Sequence, residues 1–127
     1  MSEYFFEKDT GLDGDSCFAK ISSSLRTLGF VLLSYVDMKE ILKKNFGTEM
    51  EPYYIMEVCK PGAAREMIGR NENYGIFLPC KITVIQKGEG SRILLTRVSA
   101  MARDYLADDP SVARKYEDEL VQMISSL

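Results

Sequence analysis

The segment Cys80-Lys81-Ile82-Thr83-Val84-Ile85-Gln86-Lys87-Gly88-Glu89-Gly90-Ser91-Arg92-Ile93-Leu94-Leu95-Thr96-Arg97-Val98 settles the fold class of this chain. Cys80, Ile82 and Val84 alternate with more polar neighbours and fall on one face of a strand. Lys87-Gly88-Glu89-Gly90 is a hairpin turn, and Arg92 to Val98 reads as the returning strand. Strands joined this tightly are antiparallel, because a parallel pair needs a crossover of about a dozen residues or more.

Upstream, Tyr4, Phe5 and Phe6 suit a first strand over residues 3 to 8, and Gly11, Asp13, Gly14 and Asp15 form a polar turn. Phe18, Ile21, Leu25 and Leu28 recur at helical spacing, and Gly29 can close that helix in the left-handed conformation. Phe30 to Val36 reads as a strand. Asp37 and Glu40 then make a capping-box-like start to a short helix with Met38, Ile41 and Leu42 inward, closed near Gly47. Tyr53 to Cys59 is a strand with Tyr54, Met56 and Val58 on one side and Tyr53, Ile55, Glu57 and Cys59 on the other. Pro61 fits the first turn of a helix over Ala63 to Ile68, ended near Gly69, and a loop follows through Asn71, Asn73 and Gly75. Downstream, Ser99 to Leu106 is a weak helical segment. Asp109-Pro110 opens a stronger helix with a stripe of Val112, Tyr116, Leu120, Met123 and Leu127. Helices separated by antiparallel strands, without regular βαβ alternation, predict one α+β domain over residues 1–127: a curved sheet with helices on one side and a C-terminal helix.

Composition narrows the function. A chain of 127 residues suits one domain with a real core. The 16 basic and 19 acidic residues leave a net charge of -3 and form no basic run, so no nucleic-acid partner is expected. Phe30-Val31-Leu32-Leu33, the longest aliphatic run, is far short of the roughly 20 residues that span a bilayer, so no membrane association is expected. The start Met1-Ser2-Glu3-Tyr4-Phe5-Phe6-Glu7-Lys8 lacks the basic and apolar regions of a leader, giving a cytoplasmic expectation. An odd count of 3 cysteines in such a chain argues for reduced thiols rather than a disulfide framework.

There is no histidine, which removes the usual neutral-pH proton shuttle, most zinc sites and every histidine-dependent triad. The soft groups left are the thiols. Cys59 and Cys80 end and begin strands at either side of one connection, and if those strands are neighbours they can form a reversible disulfide or half of a soft-metal site. Each is also what a small apolar core residue looks like. Pro61 directs Cys59 toward a helix start, where the helix dipole favours a thiolate or an anionic ligand. Glu57, on the face of Cys59, is a candidate base or third ligand, against the plainer reading of an exposed strand carboxylate. Lys60 and Lys81 read as solvated. Cys17 reads as core filler, and Gly88-Glu89-Gly90 joins two strands and so is a turn rather than a phosphate loop. Tyr53, Tyr54, Tyr74 and Phe77 suit either an apolar pocket or sheet packing.

Cys59-Lys60-Pro61 and Leu78-Pro79-Cys80, together with Leu28-Gly29-Phe30 and Ala63-Ala64, resemble the domain-of-unknown-function family three hundred and two, whose signatures are a strand ending in Cys-x-Pro and a Leu-Pro-Cys segment opening another. Lys60 stands where that family often has asparagine. The resemblance implies a TATA-binding-protein-like α+β fold with a strongly bent sheet, and a homodimer. It implies two marked thiols rather than a reaction, and no DNA binding. Two functions from different classes follow. One is a module that binds a small molecule or soft metal ion, or responds to redox, through Cys59 and Cys80. The other is a non-catalytic homodimeric interaction protein with structural cysteines. An enzyme with Cys59 as nucleophile ranks third, and no cofactor is assigned.

Overall fold

The structure, a computed structural model, describes residues 2–127. In chain order its elements are β1 (Phe5–Thr10), α1 (Gly14–Thr27), β2 (Val31–Asp37), α2 (Met38–Phe46), β3 (Tyr53–Cys59), α3 (Pro61–Arg70), a 3-10 turn (Glu72–Ile76), β4 (Cys80–Lys87), β5 (Gly90–Thr96), α4 (Val98–Leu106) and α5 (Pro110–Ser125). The strands form one sheet in the order β1-β5-β4-β3-β2, and every neighbouring pair is antiparallel. This is the α+β architecture that the hairpin predicts.

Register places side chains in rows across the sheet. Met56, Ile82, Leu95 and Phe6 form one inward row, and Tyr54, Val84, Ile93 and Lys8 the next. Cys17, Ile21 and Leu25 of α1 and Leu120, Met123 and Ile124 of α5 pack on these rows as the main core. Each fully buried aliphatic side chain of this kind contributes about 1.5–3 kcal/mol. Lys8, at the edge of its row, carries its stem along the core and donates to the Ser125 carbonyl, where the last carbonyls of α5 favour a cation.

The helix ends follow local chemistry. Asp13 caps α1 by accepting from the Ser16 amide at 2.8 Å, and Asp37 caps α2 by accepting from Glu40 at 3.1 Å. Gly29 leaves α1 at φ +79°, and the Phe30 amide closes back on the Leu25 carbonyl at 2.9 Å. Gly14 is required for space: a Cβ there would meet the Pro52 side chain at 2.6 Å.

A second, smaller core lies beyond one end of these rows, built from Ala63 and Met67 of α3, Tyr74, Val98 and Ala102 of α4, and Ala113 of α5. Cys80 packs against both cores and so marks their seam.

Several expectations change. The first strand runs later, from Phe5 to Thr10, because its ladder with β5 sets its limits. The stretch expected to be a loop through Asn71, Asn73 and Gly75 is the 3-10 turn, held by the Asn71 side chain accepting from the Asn73 amide at 2.9 Å and by buried Tyr74. Helix α2 buries none of its residues, and Ile41 is 41% exposed, because α2 lies outside both cores. The buried stripe of α5 is Ala113, Glu117, Leu120, Met123 and Ile124 rather than one through Val112 and Tyr116.

Candidate functional site

Strand β3 ends at Cys59, and Lys60 and Pro61 turn the chain directly into α3, with Pro61 in its first turn where a missing amide hydrogen costs nothing. Strand β4 begins at Cys80, opposite Val58 in the β3–β4 ladder. Cys59 and Cys80 are therefore diagonal neighbours. An opposed pair about 5 Å apart plus one strand step of about 3.4 Å puts their Cα atoms at roughly 6 Å, inside the Cα range of a disulfide. One strand step also turns a side chain to the other face, so a bridge requires the turn from β3 into α3 to bring the Cys59 sulfur round to Cys80. Both are free thiols here.

The two cysteines wall a cavity of about 30 Å3 at the seam of the cores, with Phe30, Met67, Leu78 and Glu117 among its other walls. That is room for one or two waters, and the lining is almost wholly apolar. Lys60 also lines it and is not solvated as expected: its ammonium sits 5.2 Å from the centre of the Phe30 ring and bonds both Glu119 oxygens, at 2.9 and 3.1 Å. Lys81, by contrast, is exposed on the other face, opposite Glu57.

Electrostatics run against a reactive thiolate. Burial pushes the Cys80 thiol up to about 12, and the nearby Glu117 carboxylate adds to the shift. Burial also raises Cys59, so the helix-start effect suggested by the Cys-x-Pro step does not prevail. Cys17 sits in the main core, raised to about 11 by burial, in the filler role expected of it.

Glu57 is not part of this cavity. It accepts from the Ser34 hydroxyl at 2.9 Å on the neighbouring strand. The carboxylate that does reach the wall is Glu117, 5% exposed. It accepts from the Ser99 amide at 3.1 Å and the Ser99 hydroxyl at 2.7 Å, with the Arg97 guanidinium 3.8 Å away. Helix α4 has Arg97 at its N-cap and no capping side chain of its own, so Glu117 supplies the cap from α5. Burial raises the Glu117 carboxyl while Ser99 and Arg97 pull it down. Sequence reading misses Glu117 because it lies inside an otherwise apolar stripe. The available signal was the uncapped start of α4, which needed an acceptor from elsewhere in the fold.

The expected aromatics scatter. Tyr53 lies on the open sheet face, Tyr54 stacks on Phe18 and donates to Asp15, Tyr74 is in the smaller core, and Phe77 stacks with Tyr105. Among the described residues, no group of three or more Cys, Asp or Glu is placed to hold a metal ion. The two thiols would have to bind a metal without a carboxylate partner.

No helix among the described residues is long and apolar enough to cross a membrane. No curated protein matches this chain. Its fold is similar to that of a crystal structure of an uncharacterised conserved DUF302 protein from Bacillus stearothermophilus, with a TM-score of 0.88, 24% identity and 98% of each chain covered. The domain of unknown function DUF302 matches residues 6–127, nearly the whole sequence, and the chain belongs to that family.

Proposed function

We propose that this protein is a redox-responsive module whose working pair is Cys59 and Cys80, reduced at rest in a cytoplasmic setting. The observation that supports this reading is their common cavity, walled by two cysteines on adjacent strands whose Cα atoms lie within the Cα range of a disulfide. The cavity is too small for an organic molecule of any size, and zinc would want more donors than the two thiols offer. A reversible disulfide needs neither.

The step is thiol–disulfide exchange with a low-molecular-weight disulfide. The half-buried Cys59 attacks one sulfur of that disulfide and releases one small thiol. Cys80 then attacks the Cys59 sulfur and releases the second, so the two protein protons leave on the two small thiols. Raised thiol pKa values make the exchange slow at neutral pH and faster as pH rises. The test is titration with oxidised glutathione, read by intact mass and peptide mapping. A Cys59–Cys80 crosslink, lost in Cys59→Ser and in Cys80→Ser, is the expected result. Thiols that stay free, or that stop at the glutathione adduct, would remove this reading. A copper(I) titration alongside tests the soft-metal form of the same pair.

A second reading, the homodimer, rests on the sheet face opposite the helices. Its rows Val36, Ile55, Thr83, Leu94 and Tyr53, Ile85, Arg92 contribute nothing to either core, and no residue among them is buried. Five strands of this length present roughly 500 Å2, short of the about 800 Å2 per partner of a stable interface. The exposed Ile76 and Tyr105, by the cleft at Lys81 and Thr96 on that face's margin, can supply the remainder. Light scattering against concentration checks it: a dimer dispersed by Leu94→Lys supports the reading, and a monomer at every concentration removes it.

A further inference from the structure

We propose that Glu117 is the proton acceptor for Cys80 when the Cys59–Cys80 disulfide closes, an inference that rests on the redox reading of this pair. Both side chains wall the same cavity of about 30 Å3, so one or two waters at most separate the thiol from the carboxylate. No other group in that wall can take the proton. The Lys60 ammonium is held by both Glu119 oxygens, and the Tyr116 hydroxyl donates to Glu66. Helices α3 and α4 bring Ala63, Ala64, Met67 and Val98, none of which titrates. The chain has no histidine to serve instead.

Glu117 has the capacity for this task. The Ser99 amide donates to one of its oxygens and the Ser99 hydroxyl to the other, with the Arg97 guanidinium 3.8 Å away. Donors on every side are what an ionised carboxylate collects, and two hydrogen bonds leave about two of its roughly four acceptor positions open. Cys80 needs such a partner. With its thiol pushed up to about 12, only about one molecule in 100,000 carries the thiolate at about pH 7. In the Cys59–glutathione adduct, Cys80 gives its proton to Glu117 as its sulfur attacks the Cys59 sulfur. The Cys59–Cys80 bond forms, the bond to glutathione breaks, and the departing thiolate takes the proton from Glu117. Glutathione leaves as the thiol and the carboxylate is restored.

A charged bystander would act in the opposite direction. The Glu117 charge raises the Cys80 thiol, so without a proton-accepting role its removal would ease thiolate formation and speed closure. The test follows oxidised glutathione reacting with the whole chain near neutral pH, by acid-quenched intact mass, which separates the Cys59 adduct from the crosslink. Glu117→Gln should form the adduct at the parental rate and close at least about tenfold more slowly. Ser99→Ala disturbs the same helix cap, keeps the carboxylate, and should close at the parental rate. The parent supplies a second readout. Attack by Cys59 quickens with pH, but closure should stay nearly level between about pH 7 and 9, where a free Cys80 thiolate would give a rise of about tenfold per pH unit. Closure in Glu117→Gln that is faster, unchanged or slowed less than about tenfold overturns the proposal, as does equal slowing in Ser99→Ala or the steep parental profile. Those outcomes leave the redox reading standing, whereas a parent that forms no crosslink removes that reading and this inference together.

Discussion

The two cores of this protein are held by different physics. The main core, between the sheet and helices α1 and α5, is almost purely apolar, its side chains set by the twofold period of strands and the 3.6-residue period of helices. The smaller core, under α3, the 3-10 turn and α4, is poor in large aliphatic residues and is tied by polar groups from distant positions. Tyr74 donates to Asp108 there, and Arg70 grips the same carboxylate at 2.6 and 3.0 Å. Glu117 caps α4 a short way off. Weak helices are acceptable in the second region because hydrogen-bonded acids, Glu117 buried and Asp108 half-buried, add to what hydrophobic area alone does in the first.

Substitutions sharpen that contrast. Ile82→Ala in the main core removes a fully buried side chain in a packed row and should cost about 4 kcal/mol in urea unfolding, with no change in pH dependence. A loss below about 1 kcal/mol would show that this core repacks freely.

Glu117→Ala comes next, at about 3 kcal/mol, because it leaves the Ser99 amide and hydroxyl and the Arg97 guanidinium without their partner. Glu117→Gln keeps an acceptor for Ser99 and should cost less. The Gln variant also isolates the titration. The folded carboxyl is raised above its unfolded value, so its contribution is complete below the ordinary carboxyl range and is lost as pH rises through the folded value. Urea melts from about pH 4 to about pH 8 should therefore show a loss of stability in the parent that is absent in Glu117→Gln. Parallel profiles would sever the acid from the cap.

Tyr74→Phe removes only the hydroxyl that reaches Asp108 and should cost about 1 kcal/mol. The Asp108 carboxyl is held well below the usual range, by Arg70 first and Tyr74 second. Its contribution is present above the unfolded value and is lost as pH falls through the depressed folded one, so Tyr74→Phe should narrow the gap from the parent under acid conditions. The smallest effect on stability is expected for Lys60→Ala, about 0.5 kcal/mol, since its ion pair with Glu119 is partly exposed. Its readout is alkylation: uncovering the cavity should raise the rate at Cys59 and leave core Cys17 unlabelled.

Much of the fold was legible in residue order. The Lys87-Gly88-Glu89-Gly90 turn, Gly29 after α1, and the Asp13, Asp37 and Asp109 starts all act through neighbours a few residues away, and local chemistry is what a sequence displays. Cys59 and Cys80 could be singled out because each lies at a strand end within two residues of a proline, Pro61 and Pro79. Their shared cavity could not, since it depends on the Val58–Cys80 register and on α5 arriving from far along the chain. Glu57 illustrates the hazard of period-two reasoning at a strand end: it shares the alternation of Cys59, yet the chain turns into α3 and carries only the cysteine to the cavity.

Hydrophobic periodicity and turn chemistry thus suffice for the α+β class, the antiparallel hairpin and the candidate thiols, because these are short-range properties of the chain. The pairing order of the five strands, the acid that caps a helix from another helix, the upward shift of both thiols and the meeting of that acid with Cys80 at one cavity emerge only on folding. Burial, register and electrostatic partnership are properties of distances through space, and residues remote in sequence acquire them only when the sheet brings them together.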